Sequence, residues 1–474
     1  IKGERVSADN IRTLLEGICP VETELNFMTC NRRAVELLGI LTGYYKEKGV
    51  DLNKVQGSVA YDAFKVPLVK GIALESDWVE DVVDVLKAGE ALPHYRVLAV
   101  QASNLSDAGS YITQELGYAM AWGNELLAKL AEAGIPVDKA ANRIKFNFGI
   151  SSNYFMEIAK FRAARWLWAE IVKAYDPVCT CPPDCCDKTA DDSAFCRCAC
   201  KIKIHAHTSA WNMTVFDAYV NMLRTQTETM SAAIAGVDSI TVSPYDDVFK
   251  TPDEFSERIA RNQQLLLKEE CHFDRVVDPG GGSYYIEVLT RSVAEAAWKL
   301  FLEVEDKGGF AVVANAGEVQ QAVNESNSAR KKQIATRRIS LLGTNIFPNF
   351  TEIAGNKIEA DSECGCHCHK DSEIAKLDFS RGASEFEALR LETEKSGKRP
   401  KVFMLTIGNL AMRLARSQFS SNFFACAGYE IFDNLGFETV EAGVKAAREK
   451  NADIIVLCSS DDEYATFAPE AFKL

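Results

Sequence analysis

Six times in the first 300 residues a short apolar stretch gives way to a long amphipathic helix pattern. That alternation restricts the fold more than any other feature of the chain. The stretches are Leu25–Met28, Gly57–Tyr61, Val97–Gln101, Ile144–Gly149, Ile202–His205 and Ser239–Val242. Runs such as AVELLGILTGYYKEKG and YFMEIAKFRAARWLWAEIVKAY supply the helices. A strand that must cross over through a helix to reach the next strand gives a parallel sheet covered by helices. Six such units in one run predict a closed (β/α)₈ TIM barrel rather than an open sheet. Six strands are two short of eight, so a missing N-terminal piece carrying the others is expected.

The rest of the chain divides at changes in composition. Helical patterns continue to about residue 342, and residues 343–400 are polar and charged with one amphipathic stretch, SEFEALRLETEKSGKRP. From Lys401 a second unit begins with VFMLTIG, YEIFDN and ADIIVLCSS as strands, and VEAGVKAAREKN among its helices. This is the pattern of a doubly wound, flavodoxin-like domain, and it stops after three strands as though truncated. The expected organisation is a barrel over 1–342, a linker over 343–400 and the small domain over 401–474.

Bulk composition excludes some classes. With 67 acids against 53 bases, a net charge of −14 and no concentrated basic patch, the chain is not a general nucleic-acid binder. No run approaches the roughly 18 apolar residues of a membrane span. The expected location is the cytoplasm. Of fifteen cysteines, ten fall in two short segments. CTCPPDCCDKTADDSAFCRCAC carries Cys179, Cys181, Cys185, Cys186, Cys196, Cys198 and Cys200 within an insertion at 179–200, and CGCHCH carries Cys364, Cys366 and Cys368. Thiols and imidazoles at this density are zinc-type ligand chemistry. The spacings CxC and CC are not the usual paired spacing of structural zinc, so a reduced loop that binds nothing stands beside that reading.

Barrel enzymes keep their catalysts at the carboxyl ends of the strands. There this chain offers Ala60 and Tyr61, Ser103 and Asn104, Ser151 and Ser152, His205 and His207, then Pro244, Tyr245 and Asp246. His205 and His207 share one face of a regular strand. They could be a base or metal pair, or a rim histidine packed and bonded to backbone. No carboxylate or cysteine stands at matching spacing, so the packed reading is the expectation. DPGGGSYYIE lacks the Lys-Ser/Thr of a phosphate loop and reads as a turn. In the small domain, the loop after the first strand offers Leu410, Met412 and Ala415, with neither an acid nor an imidazole. No histidine follows His369.

The strings NYFMEIAKFRAARWLW, HTSAWNMTVFDAYVNMLRTQTETMSAAIAGVDS, FSERIARNQQLLLKEE and DPGGGSYYIEVLT closely resemble the barrel of the methylmalonyl-CoA mutase family. The resemblance covers nearly all of residues 20–345 and resumes at FEALRLETEKSGKRPKVFMLTIG. It implies a CoA-threading barrel joined to a cobalamin-binding, flavodoxin-like domain. Catalytic members carry an Asp-x-His-x-x-Gly loop whose histidine ligates cobalt; the matching positions here are Leu410, Met412 and Ala415. Their barrel Gln, Arg and His that contact the acyl group appear here as Ala60, Lys70 and Asn104. The resemblance therefore implies the non-catalytic, small-subunit branch, with no cofactor-binding residues of its own. A homologous large subunit would be the partner, holding adenosylcobalamin and acyl-CoA. Two alternatives remain beside it: an active mutase with altered cobalamin ligation, and a metal-binding or assembly role for the cysteine-rich segments.

Overall fold

The computed structural model describes residues 6–29, 33–180, 195–359 and 372–474. Six parallel strands form one sheet in chain order: β1 (Leu25–Met28), β2 (Gly57–Tyr61), β3 (Tyr95–Val100), β4 (Ile144–Ile150), β5 (Ile204–Thr208) and β6 (Ser239–Thr241). The predicted units are thus all present: β1 and β2 have the expected boundaries, and the others differ by at most three residues. The largest displacement is at β5, where both histidines lie inside the strand rather than at its end. Between β2 and β3 the register shifts: Ser58 to Tyr61 is three steps where Arg96 to Leu98 is two, so β2 carries one extra residue.

One face of this sheet is apolar and covered by helices. Phe146 and Phe148 of β4 meet Trp168 and Phe161 of the helix Tyr154–Ala174, with ring centroids 4.7 and 6.0 Å apart. Farther along, Phe64, Trp122 and Phe310 enclose one another in the same buried cluster. Burying aromatic side chains of this size contributes about 1.5–3 kcal/mol each.

The other face is concave, and a single contact shows it. β4 and β1 stand three strand spacings apart, about 14 Å in a flat sheet. That exceeds the joint reach of a lysine and an asparagine side chain. Lys145 Nζ of β4 nonetheless donates to Asn26 Oδ1 of β1 at 2.8 Å. The sheet therefore curls around this face, as a TIM-type sheet does. Among the described residues it has six strands, with β1 and β6 at its edges.

The segment expected as linker is docked rather than loose over its described parts. Glu373 and Ile374 donate backbone N–H groups to Gly71 O, Leu377 donates to Leu68 O, and the Leu377 side chain is buried. Gly71 has φ +67°, and a Cβ there would lie 2.4 Å from Ser372 Oγ, so only glycine permits this approach. The amphipathic stretch forms the helix Ser384–Lys395.

A second parallel sheet follows: β7 (Lys401–Thr406), β8 (Glu430–Phe432) and β9 (Ile454–Cys458), in the order β8-β7-β9. The helices Leu410–Ala425, Val440–Glu449 and Asp461–Lys473 pack around it. This is the doubly wound strand order that the alternation predicted. Among the described residues no helix is long and apolar enough to cross a membrane.

Candidate functional site

Barrel interiors are usually filled by branched apolar side chains. The concave face here is polar instead. Alternation in IKFNFGI puts Phe146 and Phe148 toward the helices and Lys145 and Asn147 toward the interior. Ser58 Oγ donates to Asn26 Oδ1 at 2.6 Å, and Lys145 Nζ reaches that same oxygen and, at 3.2 Å, Ser58 Oγ. Asn147 Nδ2 donates to Gln101 Oε1 at 2.6 Å. His205 lies between two hydroxyls, Ser239 Oγ 2.8 Å from Nδ1 and Thr241 Oγ1 3.2 Å from Nε2. A neutral ring can accept from one hydroxyl and donate to the other.

The charges on this face follow from burial. Removal from water lowers Lys145 to about 8, with Lys203 and Arg96 adding repulsion and Glu24 opposing it. Burial, then the nearby Lys145, lowers His205 to about 3. The imidazole is therefore neutral across the physiological range.

At the carboxyl ends of β4 and β5 the buried groups are carboxylates. Lys160, fully buried, lies 2.7 Å from Glu115 and 2.6 Å from Glu157, and donates to Gly149 O. Burial alone would lower the lysine, and the two carboxylates more than reverse it. Glu115 is raised to about 7 by burial against the pull of Lys160. Glu157 also accepts from Ser151 N and Oγ. Next to it, Glu228 accepts from Ser152 Oγ and Asn212 Nδ2, and burial raises it to about 8. A carboxyl group in that state is a proton donor near neutral pH.

The histidine pair departs from expectation in two ways. Both rings face hydroxyl side chains rather than backbone, His207 Nε2 lying 3.4 Å from Ser243 Oγ. A carboxylate does come near: Asp107, which accepts from Ser209 Oγ and Ala210 N, senses the His207 charge. Sequence spacing could not show this, because about a hundred residues separate the two. Asp278 and the glycines after it form a turn, as expected, and Asp278 accepts from Arg162.

The positions expected to contact an acyl group fall at and after the carboxyl ends of β2 and β3. Ala60 is the penultimate residue of β2, opposite Met28 of β1. Asn104 follows β3, with its N–H on Gln101 O. Lys70 lies in the helical turn Val66–Lys70 after β2, the turn to which residues 373–377 are tied. Neither a methyl group nor an amide at these places can exchange a proton with substrate.

At the carboxyl end of the second sheet, Leu410, Met412 and Ala415 occupy the first turns of their helix and are exposed, Leu410 by 59%. Asn409 caps that helix through Met412 N. The crevice at this end, where a doubly wound fold holds its ligand, is bridged by the chain itself. Glu463, from the segment after β9, accepts from Asn409 N at 3.1 Å, Ser459 Oγ at 2.7 Å and Ser460 Oγ at 2.8 Å. Those bonds hold its carboxyl at about 2. Arg413 donates to Gly408 O and Leu435 O on the other side. Gly408 has φ +78°, and a Cβ there would lie 2.2 Å from Glu463 Oε2. These residues do not fit a cobalamin held by an imidazole from this turn.

The tentative metal ligands are only partly described. Cys181, Cys185, Cys186, Cys364, Cys366 and Cys368 lie outside the described residues, while Cys179, Cys196, Cys198 and Cys200 lie within them. Cys196 is buried, with its N–H on Pro177 O. Among the described residues no group of three or more His, Cys, Asp or Glu is placed to hold a metal ion. The zinc expectation therefore gains no support.

The residues that sequence reasoning missed are Asn26, Ser58, Lys145 and Asn147 inside, and Glu115, Glu157, Lys160 and Glu228 at the rim. For Lys145 and Asn147 the signal was present as strict alternation within β4. For the rim carboxylates it was not, since each reads as a solvated position of an amphipathic helix.

Comparison with known proteins gives a consistent picture. The sequence profile described as methylmalonyl-CoA mutase matches residues 6–395. The methylmalonyl-CoA mutase small subunit of Porphyromonas gingivalis is 61% identical over 473 residues, covering 100% of this chain and 74% of that protein. The small subunit from Streptomyces virginiae is 35% identical over 80% of this chain and 57% of its own length. The large subunit from the same organism is 32% identical over 74% of this chain and 46% of its own. The chain thus spans about three quarters of the first of these relatives and about half of the others.

Proposed function

The chain belongs to the methylmalonyl-CoA mutase family, and within it we propose the role of a non-catalytic small subunit. A homologous large subunit would bind adenosylcobalamin and acyl-CoA and interconvert (R)-methylmalonyl-CoA and succinyl-CoA. This chain would supply a folded surface that stabilises the catalytic one. We divide it accordingly into a mutase-type barrel over 1–342, a connecting segment over 343–400 and a degenerate cobalamin-type domain over 401–474.

The observation that supports this reading is a matched loss at both sheet ends. Met412 stands exposed where an imidazole would be needed, and Glu463 bridges the crevice beside it. Ala60, Lys70 and Asn104 stand at the carboxyl ends of β2 and β3 in the other sheet, with no acid–base pair among them. Radical chemistry of this type depends on a cofactor whose reactive bond the protein holds in place. A single altered position could be rewired ligation, whereas two altered ends favour a partner role.

Reconstitution tests it. The chain alone, given adenosylcobalamin, is expected to show neither a stoichiometric corrinoid spectrum nor turnover, and to be recovered bound to a homologue carrying the intact histidine loop. Turnover by the chain alone sinks the proposal.

A further inference from the structure

We propose that a cleft between the helices Tyr154–Ala174 and Tyr284–Asp306 binds a nucleoside phosphate, with its base on Trp166 and its phosphate on Arg291. At about 810 Å³ the cleft has the size of a small-molecule pocket. None of its lining residues comes from a strand, so it is separate from the concave face and from both sheet ends. The inference goes beyond the partner-subunit reading and does not depend on it.

The two helices run side by side in the same direction. Phe155 meets Tyr285 with ring centroids 5.6 Å apart, and farther along Arg162 donates to Glu287 and Thr290. One turn beyond Arg162 and Glu287, Trp166 and Arg291 line the cleft. Trp166 is 48% exposed, whereas Trp122 and Trp168 are buried in the core. An indole left open on the wall of a cleft is a stacking platform for a planar base. Val277 and Val288, both exposed, extend that apolar wall.

The charges of the cleft do not balance. Its two carboxylates, Asp278 and Glu287, are both taken by Arg162, whose five N–H groups are spent on them and on Thr290. Arg165 donates to the carbonyls of Phe161, Ala235 and Gly236 and meets no carboxylate among the described residues. Arg291 is exposed and has neither an ion-pair nor a hydrogen-bond partner among the described residues. Three guanidinium groups thus stand against two carboxylates, in a chain whose net charge is −14. The free planar fork of Arg291 matches two oxygens of a phosphate. A small anion alone would leave the indole open, and an apolar group alone would leave the cation unpaired. A ring that carries a phosphate meets both.

Calorimetric titration of the purified full chain with adenosine monophosphate tests this. The wild type is expected to saturate with a Kd below about 1 mM, and to bind adenosine or inorganic phosphate at least about tenfold more weakly. Trp166→Leu and Arg291→Met, both at exposed positions, are each expected to weaken adenosine monophosphate at least about tenfold while the melting temperature stays unchanged. No saturable heat from the wild type up to about 5 mM overturns the proposal, and that measurement needs no variant. Inorganic phosphate or adenosine binding as tightly as the nucleotide overturns it too, as does a variant at either residue that binds as tightly as the wild type.

Discussion

The carboxyl ends of the two parallel sheets occupy the same topological place and are finished in opposite ways. In the large sheet, charge is turned inward: Lys160 lies fully buried between Glu115 and Glu157, beside a raised Glu228. In the small sheet, charge stays at the surface as a bridge from Glu463 to Asn409, and the helix that follows β7 exposes Leu410, Leu414, Phe419 and Phe423. The first arrangement is expensive to disturb, because each member's removal strands a charge in a low-dielectric interior. The second is solvated and cheap to alter. Where a site's polar groups satisfy one another, they have become architecture, and so they say little about chemistry.

The strongest way to break this contrast is Lys160→Met. It leaves two carboxylates facing each other without a cation, and a loss of about 3–5 kcal/mol in unfolding free energy is expected by denaturant titration. A loss below about 1 kcal/mol would place the cluster with ordinary surface pairs.

Titration sharpens the contrast next, through two groups with opposite signs. Glu228 is raised in the folded state from 4.5 to about 8. Its contribution to stability is full below pH 4.5 and is lost as pH rises through about 8, by about 3 kcal/mol at pH 7. His205 is lowered from 6.5 to about 3. Its contribution is full above pH 6.5 and is lost as pH falls, by about 2 kcal/mol at pH 5. Across melting curves from pH 5 to 9, Glu228→Gln should therefore remove a loss of stability that accrues up to about pH 8, and His205→Asn a loss that accrues below about pH 6.5. The two oppose each other in the wild type between pH 5 and about 6.5. Unchanged slopes in both would show that these groups are solvated.

The smallest effect is expected for Glu463→Gln. Its melting temperature should stay close to wild type, while hydrogen exchange at Asn409 and Ser460 speeds up as their shared acceptor loses its charge. A destabilisation as large as that of Lys160→Met would erase the distinction between the two ends.

The alternation of apolar stretches and helices made both sheets legible, because strand and helix periods are local properties of a few consecutive residues. So was the absence of a ligand set at Leu410, Met412 and Ala415, since a missing imidazole needs no geometry. The histidine pair was legible only as a shared face. Its partners Ser239, Thr241 and Ser243 come from β6 and two residues past it, and the Asp107 carboxylate from a helix after β3.

What the sequence by itself determined is the set of βα units, their order and the family to which they belong. Tertiary structure alone decided which polar residues meet. Asn26, Ser58 and Lys145 are brought together only by the curl of the sheet, and Glu115, Glu157 and Glu228 only by helices packing at one rim. Burial then sets their charge states, and burial is a property of the assembled fold that no stretch of residues carries on its own.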